Sequence, residues 1–265
     1  MIRVCVAGAT GWTGSQIVNA ILGSTEFQLA GAIARKSAGQ DVGSALGGRT
    51  AGIAVSTTLA EALKQPTDVL IDYTGPESVK ARIVEALERG VRVVIGTSGL
   101  TASDYDDIDR VARQHHLGVV AAGNFSLTAA LAKHFALFAA RHVPSWEIID
   151  YADANKIDAP SGTTMELAEA LAAVAQQHVP VSIDQTHGIK EARGGTIAGT
   201  QVHSLRLPGY VISFETIFGL PDERLTIRHD AGASARPYVA GTLMAATKVM
   251  DVTGLVRGLD QLLFG

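Results

Sequence analysis

Residues 151–164 read YADANKIDAPSGTT, a stretch in which a lysine, two aspartates and a Pro-Ser-Gly-Thr turn stand just ahead of the apolar-periodic run MELAEALAAVA. Leu167, Leu171 and Val174 recur in that run at helical spacing, so a helix is expected there with Ser161 as its N-cap. The first backbone N–H groups of a helix have no partner within it. Together with the hydroxyls of Ser161 and Thr163 they would seat a carboxylate or a phosphate. Ser161, Gly162 and Thr163 are the expected anion seat, and Lys156 lies a few residues upstream, where it could stand over it.

A second group of residues points to a dinucleotide. GATGWTG, from Gly8 to Gly14, sets Gly8, Gly11 and Gly14 at GxxGxxG spacing between an apolar run and a helical pattern. A tight turn, close approach of the backbone to a pyrophosphate and close helix packing all favour glycine at such positions. The cradle is expected over Gly8, Ala9, Thr10, Gly11, Trp12 and Thr13. After the second apolar run, where an NAD-selective site usually carries an acid, the chain has Arg35 and Lys36. Two cations suit a 2'-phosphate, so NADPH is the expected cofactor, with NADH not excluded. Two further loops, Gly96-Thr97-Ser98-Gly99 and Ala122-Gly123-Asn124-Phe125-Ser126, follow later apolar runs. Glycine there lets the backbone approach a nicotinamide or ribose, and Asn124 offers an amide to polar edges.

These loops need a scaffold that brings strand ends together. The first half alternates short Val/Ile-rich runs (IRVCVAG, QLAGAIA, DVLIDY, VRVVIG, LGVVAAG) with longer helical patterns, which is the signature of βαβ units and a parallel sheet. From Trp146 the pattern changes to successive strands (WEIIDY, TIAGTQVHSLRL, GYVISFETIFGL, RLTIRH) with no long helix besides the one after Ser161. The fold class is therefore α/β: a Rossmann-like domain over residues 1–125, completed by the closing helical pattern within 236–265, and a smaller α+β domain with a largely antiparallel sheet over 126–235.

The chain has 265 residues, of which 47% are hydrophobic, enough for a sizeable core, and its formal net charge of −4 gives no basic footprint for nucleic acid. No apolar stretch is long enough to span a bilayer, and the N-terminus has no secretory pattern, so a cytoplasmic, non-membrane protein acting on a small molecule is expected. The one cysteine, Cys5, falls inside an apolar run and reads as a buried structural thiol. No HExxH or paired-ligand spacing predicts a metal. His115 and His116 end a helical pattern and face solvent on this reading, whereas His187, His203 and His229 fall in the second domain and read as structural.

Taken in order, GATGWTG, IDYTGPES (71–78), GTSG, AGNFS, KIDAPSGT (156–163), ARGGTIAGTQ (192–201) and HDAGASARPYVAG resemble the 4-hydroxy-tetrahydrodipicolinate (dihydrodipicolinate) reductases nearly end to end. The resemblance implies a homotetrameric NAD(P)H-dependent enzyme of lysine and diaminopimelate synthesis, with a carboxylate subsite at the pair matching Gly162 and Thr163. It assigns a proton-donor role to Lys156, and Arg236 matches the arginine of the family's closing segment. In the family the segment before this lysine usually runs E-x-HHxxK, with the first histidine as general acid/base. Here Asp150 stands for the glutamate and Ala152 and Asp153 for the histidines, while Thr164 replaces the alanine after SGT. Three readings follow: Lys156 alone, or a water held by it, supplies the acid; Asp153 has taken the role, which needs a carboxyl raised by burial; or the substrate is a related C=N or C=C compound. A fourth is an NADPH-binding protein without catalysis.

Overall fold

The protein is described here by a computed structural model that covers residues 1–265. The chain divides into two compact units. One comprises Met1–Leu127 and Ala235–Gly265, and the other Thr128–Ser234 is inserted between them.

In the first unit, β1 (Ile2–Ala7), β2 (Phe27–Ile33), β3 (Val55–Ser56), β4 (Val69–Asp72), β5 (Arg92–Ile95), β6 (Gly118–Ala121) and β12 (Gly254–Arg257) form one sheet. Its spatial order is β12-β6-β5-β4-β1-β2-β3, and every pairing is parallel. The order runs outward in both directions from β1 and β4, so the sheet has the switch point at which ligands bind in doubly wound folds. Val4, Val6, Leu70, Ile71, Val93, Val94, Val119 and Val120 are fully buried, which is why these strands are nearly continuous apolar runs and not alternating ones. The crossovers carry α1 (Trp12–Leu22), α2 (Val42–Ala45), α3 (Leu59–Ala62), α4 (Pro76–Glu88) and α5 (Ala102–Gln114). Pro76 opens α4, where its missing N–H costs nothing, and a reciprocal Thr101/Asp104 capping box opens α5.

Two parts of this unit correct the sequence reading. The run PYVAGTLMAATKVM forms α8 (Arg236–Lys248) but does not close the chain: β12 pairs with β6, and α9 (Leu259–Phe264) follows. A four-residue strand between a helix and a glycine turn is too short to show a period of its own.

The second unit holds α6 (Leu127–Ala140, whose first residue belongs to the first unit), β7 (Trp146–Ala152), α7 (Gly162–Val174), β8 (Gly195–Ile197), β9 (Thr200–Arg206), β10 (Ile212–Leu220) and β11 (Glu223–Asp230). The sheet order is β11-β10-β7-β9-β8; β7 and β9 are parallel and the other three pairings antiparallel. The helix α6 was absent from the sequence reading. Its alanines, Ala129, Ala132, Ala136 and Ala139, pack with Leu167 and Leu171 of α7 on Trp146, Ile148, Val202, Phe214 and Phe218 of the sheet. Helices thus cover one face, and β7 alternates accordingly: Trp146, Ile148, Asp150 and Ala152 point inward, so the last turn of this strand carries a carboxylate into a buried setting.

Candidate active site

In the second unit the loop between β7 and α7 is built around Asp150, which is fully buried. Its carboxylate accepts hydrogen bonds from Ser161 N–H (3.0 Å) and Ser161 Oγ (2.6 Å), from Thr164 Oγ1 (3.0 Å) and Ser204 Oγ (3.3 Å), and from Arg206 Nη2 (2.8 Å). Burial by itself pushes this carboxyl up, but the bonds from Ser161, Arg206 and Thr164 outweigh it and hold the group below its ordinary range. Ser161 does occupy the N-cap position of α7, yet its hydroxyl caps nothing and is turned to Asp150. The expectation that this hydroxyl serves a ligand is corrected: any anion at this helix end is met by main-chain N–H groups of the first turn, around Gly162 and Thr163, while Ser161 and Thr164 fix the turn from behind.

Lys156 and Asp153 lie in the same loop and have different partners. Lys156 Nζ is clasped by both oxygens of Asp158, at 2.6 and 2.7 Å, and keeps about a quarter of its side chain exposed. Asp153 Oδ1 accepts from Asn155 N–H and Nδ2, both at 2.9 Å, and the carbonyl of Asp153 accepts from Lys156 N–H. The Asp153 side chain therefore shapes a turn. It is half-buried. Ala152 is fully buried, faces Arg206 across the parallel β7/β9 pairing, and offers only a methyl.

In the first unit the glycine loop joins β1 to α1. Gly8 has φ of +83°, and a Cβ there would lie 2.1 Å from the Tyr73 carbonyl oxygen. A Cβ on Gly14 would lie 2.0 Å from the Gly8 carbonyl. The first glycine is thus needed for the turn and the third for helix packing, and the N-terminus of α1, at Gly11, Trp12 and Thr13, is left to face a ligand. Ala9 is buried, whereas Thr10 and Thr13 are half-buried and Trp12 is exposed, edge-on to Tyr238 at 6.0 Å. The exposed start of α1 at Gly11 and Trp12, with its first N–H groups unpartnered within the helix, fits a dinucleotide pyrophosphate. Arg35 and Lys36, just past β2, are exposed and held by no ion pair, so both cations remain available.

The neighbouring loops are tied together by a residue the sequence reading did not single out. Asp72, at the end of β4, is fully buried and accepts from Arg82 Nη1 (2.7 Å), Thr74 Oγ1 (2.7 Å) and Thr97 Oγ1 (2.7 Å). Thr97 in turn accepts from Thr74 N–H at 2.8 Å. Its side chain is therefore spent on joining the β4 and β5 loops, while Ser98 is exposed. Gly96 is small for an internal reason: a Cβ there would lie 2.2 Å from Cε1 of Tyr73, whose hydroxyl bonds Thr242 Oγ1 at 2.7 Å. Ala122 and Phe125 are buried, Phe125 packing edge-on to Tyr73 at 6.1 Å; Gly123 is exposed, and Asn124 Oδ1 accepts from Ser126 N–H at 2.8 Å. A carboxylate at the end of a βαβ strand, ten residues ahead of an arginine on the following helix, was the available sequence signal for the Asp72–Arg82 pair.

The remaining histidines are placed as follows. His203 Nε2 meets Glu147 at 2.8 Å; His229 is buried, which lowers its pKa against the opposing charge of Asp230, and meets Thr128 at 3.2 Å; His115, His116 and His187 are exposed. Arg236 is exposed at the start of α8. Burial pushes the Cys5 thiol up to about 12, consistent with an inert core thiol. No three His, Cys, Asp or Glu residues gather as a metal site.

Family models described as dihydrodipicolinate reductase, N-terminus and C-terminus, match residues 2–125 and 125–263. The chain belongs to the dihydrodipicolinate reductase family. Among its relatives, the 4-hydroxy-tetrahydrodipicolinate reductase of Moorella thermoacetica is 39% identical over 99% of this chain and 98% of its own. That of Carboxydothermus hydrogenoformans is 37% identical over the whole of both. A dipicolinate-bound dihydrodipicolinate reductase from Paenisporosarcina sp. TG-14 superimposes with a TM-score of 0.81 at 30% identity, covering 99% of each chain. An amine dehydrogenase from Mycobacterium smegmatis, 18% identical with a TM-score of 0.67 over 98% of this chain and 95% of its own, shares the fold.

Proposed function

We propose that this protein reduces 4-hydroxy-tetrahydrodipicolinate in lysine and diaminopimelate synthesis: the 4-hydroxyl leaves as water, and a hydride and a proton are added to the resulting cyclic imine or enamine dicarboxylate. The observation that carries the reading is the Lys156–Thr163 loop, in which Asp158 holds the Lys156 ammonium and Asp150 fixes the N-terminus of α7 that follows it. NADPH is the preferred donor. Its pyrophosphate is held at Gly8–Thr13 and its 2'-phosphate by Arg35 and Lys36, and Gly96–Ser98 with Ala122–Phe125 border the nicotinamide. The nicotinamide supplies the hydride.

The chain's own residues do the rest. The first-turn N–H groups at Gly162 and Thr163 bind one substrate carboxylate, and Ser161 holds that turn through its hydroxyl bond to Asp150. The ammonium of Lys156 donates the proton, exchanging its bond to Asp158 for one to the substrate. Of the two candidate acids Lys156 is favoured over Asp153, because the Asp153 carboxylate is already engaged by Asn155. Losing one positioned acid/base lowers a rate about 10²–10⁴-fold, so replacing the family's histidine by Ala152 leaves a slower enzyme and not a dead one.

A homotetramer is proposed from the family resemblance. The helix-free face of the second unit's sheet carries Ile149, Leu205 and Ile217, half-buried beside Tyr151, together with Glu147, His203 and Glu215, a mixed surface that a copy could pair with. No helix is long and apolar enough to cross a membrane, and a cytoplasmic setting goes with the use of NADPH. The test is NADPH oxidation with the precursor generated freshly by its synthase, beside a panel of cyclic imines and with light scattering on the same sample. Turnover of the precursor by a tetramer is expected. Cofactor binding without turnover of the precursor rejects the reaction, and a monomer rejects the assembly.

A further inference from the structure

One guanidinium nitrogen connects the two halves of the substrate loop. Arg206 Nη2 donates to Asp150 Oδ2 at 2.8 Å and to the Asp158 carbonyl at 2.7 Å. On one side, Asp150 fixes Ser161 and Thr164, and with them the N-terminus of α7. On the other, the residue whose main chain Arg206 grips is the one whose carboxylate clasps Lys156. Arg206 Nη1 is itself steered by the Leu205 carbonyl at 2.9 Å, and its side chain is 17% exposed beside a fully buried Asp150. The register explains why it can lie there. Arg206 stands opposite Ala152 in the parallel β7/β9 pairing and Ser204 opposite Asp150, so Asp150 lies on the same face diagonally across from Arg206, with residue 152 beside that path. A methyl at 152 leaves that path open, at the position where the family usually carries a histidine.

We propose that Arg206 is the positioning residue of the substrate site, setting the distance between the Lys156 ammonium and the anion seat at the start of α7 through its shared bond to Asp150 and Asp158. The assignment rests on the function proposed above, but it concerns the loop and can be read without turnover. A charge-assisted fork is worth more than a neutral bond, and a lysine reproduces its charge without its planar geometry. In Arg206→Lys, Lys156 and the helix end therefore lose their common reference while Asp150 keeps a cation.

The experiment compares wild type, R206K and the double variant D150N/R206M, in which the buried charge and its partner are removed together. In R206K the KM for the precursor is expected to rise about 10- to 100-fold, the worth of one charge-assisted hydrogen bond. NADPH affinity and the melting temperature stay close to wild type. The labelling rate of Lys156 by an amine-acylating reagent, followed by mass spectrometry of its peptide, rises several-fold because the clasp by Asp158 loosens. In D150N/R206M, which leaves no buried charge unpaired, stability stays near wild type while KM is high, which a merely structural arginine would not produce. Wild-type KM together with wild-type Lys156 labelling in R206K overturns the proposal, as does a wild-type KM in the double variant. If wild type itself fails to turn over the precursor, the reaction is rejected. The Lys156 labelling rate then decides the positioning role by itself, a rise in R206K supporting it and an unchanged rate overturning it.

Discussion

Replacing Gly96 by alanine separates two reasons why a glycine can stand at the end of β5. If the residue is small so that a cofactor can come close, the substitution costs affinity and leaves the fold intact. The packing points the other way: an added Cβ would sit 2.2, 2.3 and 2.8 Å from three atoms of the Tyr73 ring. Carbon atoms pack at about 3.5–4.0 Å, so the ring must retreat by more than about 1 Å. It cannot do so freely, because its hydroxyl is bonded to Thr242 and its edge meets Phe125. Overpacking of a tight site costs about 1–3 kcal/mol and loss of the hydroxyl bond about 1 kcal/mol, so Gly96→Ala is expected to lose about 2–4 kcal/mol of stability. Urea unfolding measures this, and the same substitution made in a Tyr73→Ala background should then cost close to nothing, giving a coupling of at least about 1.5 kcal/mol. Stability within about 0.5 kcal/mol of wild type, combined with weakened NADPH binding, would refute the argument and return Gly96 to the cofactor.

Lys156→Ala is expected to lower kcat about 10²–10⁴-fold and Asp153→Asn to leave it within a few-fold, by steady-state NADPH oxidation; the reverse ranking would make Asp153 the acid. Exchanging Arg35 and Lys36 for alanine should weaken NADPH roughly 10-fold or more while changing NADH little, a difference read by fluorescence titration of both cofactors. Asp150→Asn should cost about 3 kcal/mol by leaving Arg206 unpaired. Because the folded protein holds the Asp150 carboxyl below its ordinary 3.8, its contribution is complete above that pH and lost as pH falls through the lower folded value. Acid unfolding of wild type below about pH 4 should accordingly be steeper than that of the variant.

How far the sequence speaks for itself differs from element to element. The parallel strands were legible because both faces are buried, and Val and Ile run together in IRVCVAG and VRVVIG. Helix α6 was not. Its alanines bury one side while Leu131, Phe135 and Phe138 stay exposed on the other, so LTAALAKHFALFAA is apolar nearly all round and shows little amphipathic period. At the site, the position of Ser161 before a helix was readable, but the direction of its hydroxyl was not, since that depends on Asp150 arriving from a different element through the β7 register. The packing of Gly96 is hidden from the sequence for the same reason: the ring that fills the space beside it comes from the neighbouring strand's loop, and no local pattern announces it.

The pairing of β12 with β6 bears on how the chain is made. Every residue of the second unit and the whole of α8 is synthesised between these two strands, so β6 leaves the ribosome with one row of N–H and C=O groups lacking a neighbour. The inserted unit has its own core and can complete its packing during that interval, whereas the first unit can only close its sheet when the last few residues emerge. A nascent chain stalled before Gly254 presents an open parallel edge to other chains, the template on which intermolecular strands assemble. Solubility of translation products should thus change with the addition of Gly254–Arg257, which moves the sheet's edge from β6 to the four-residue β12.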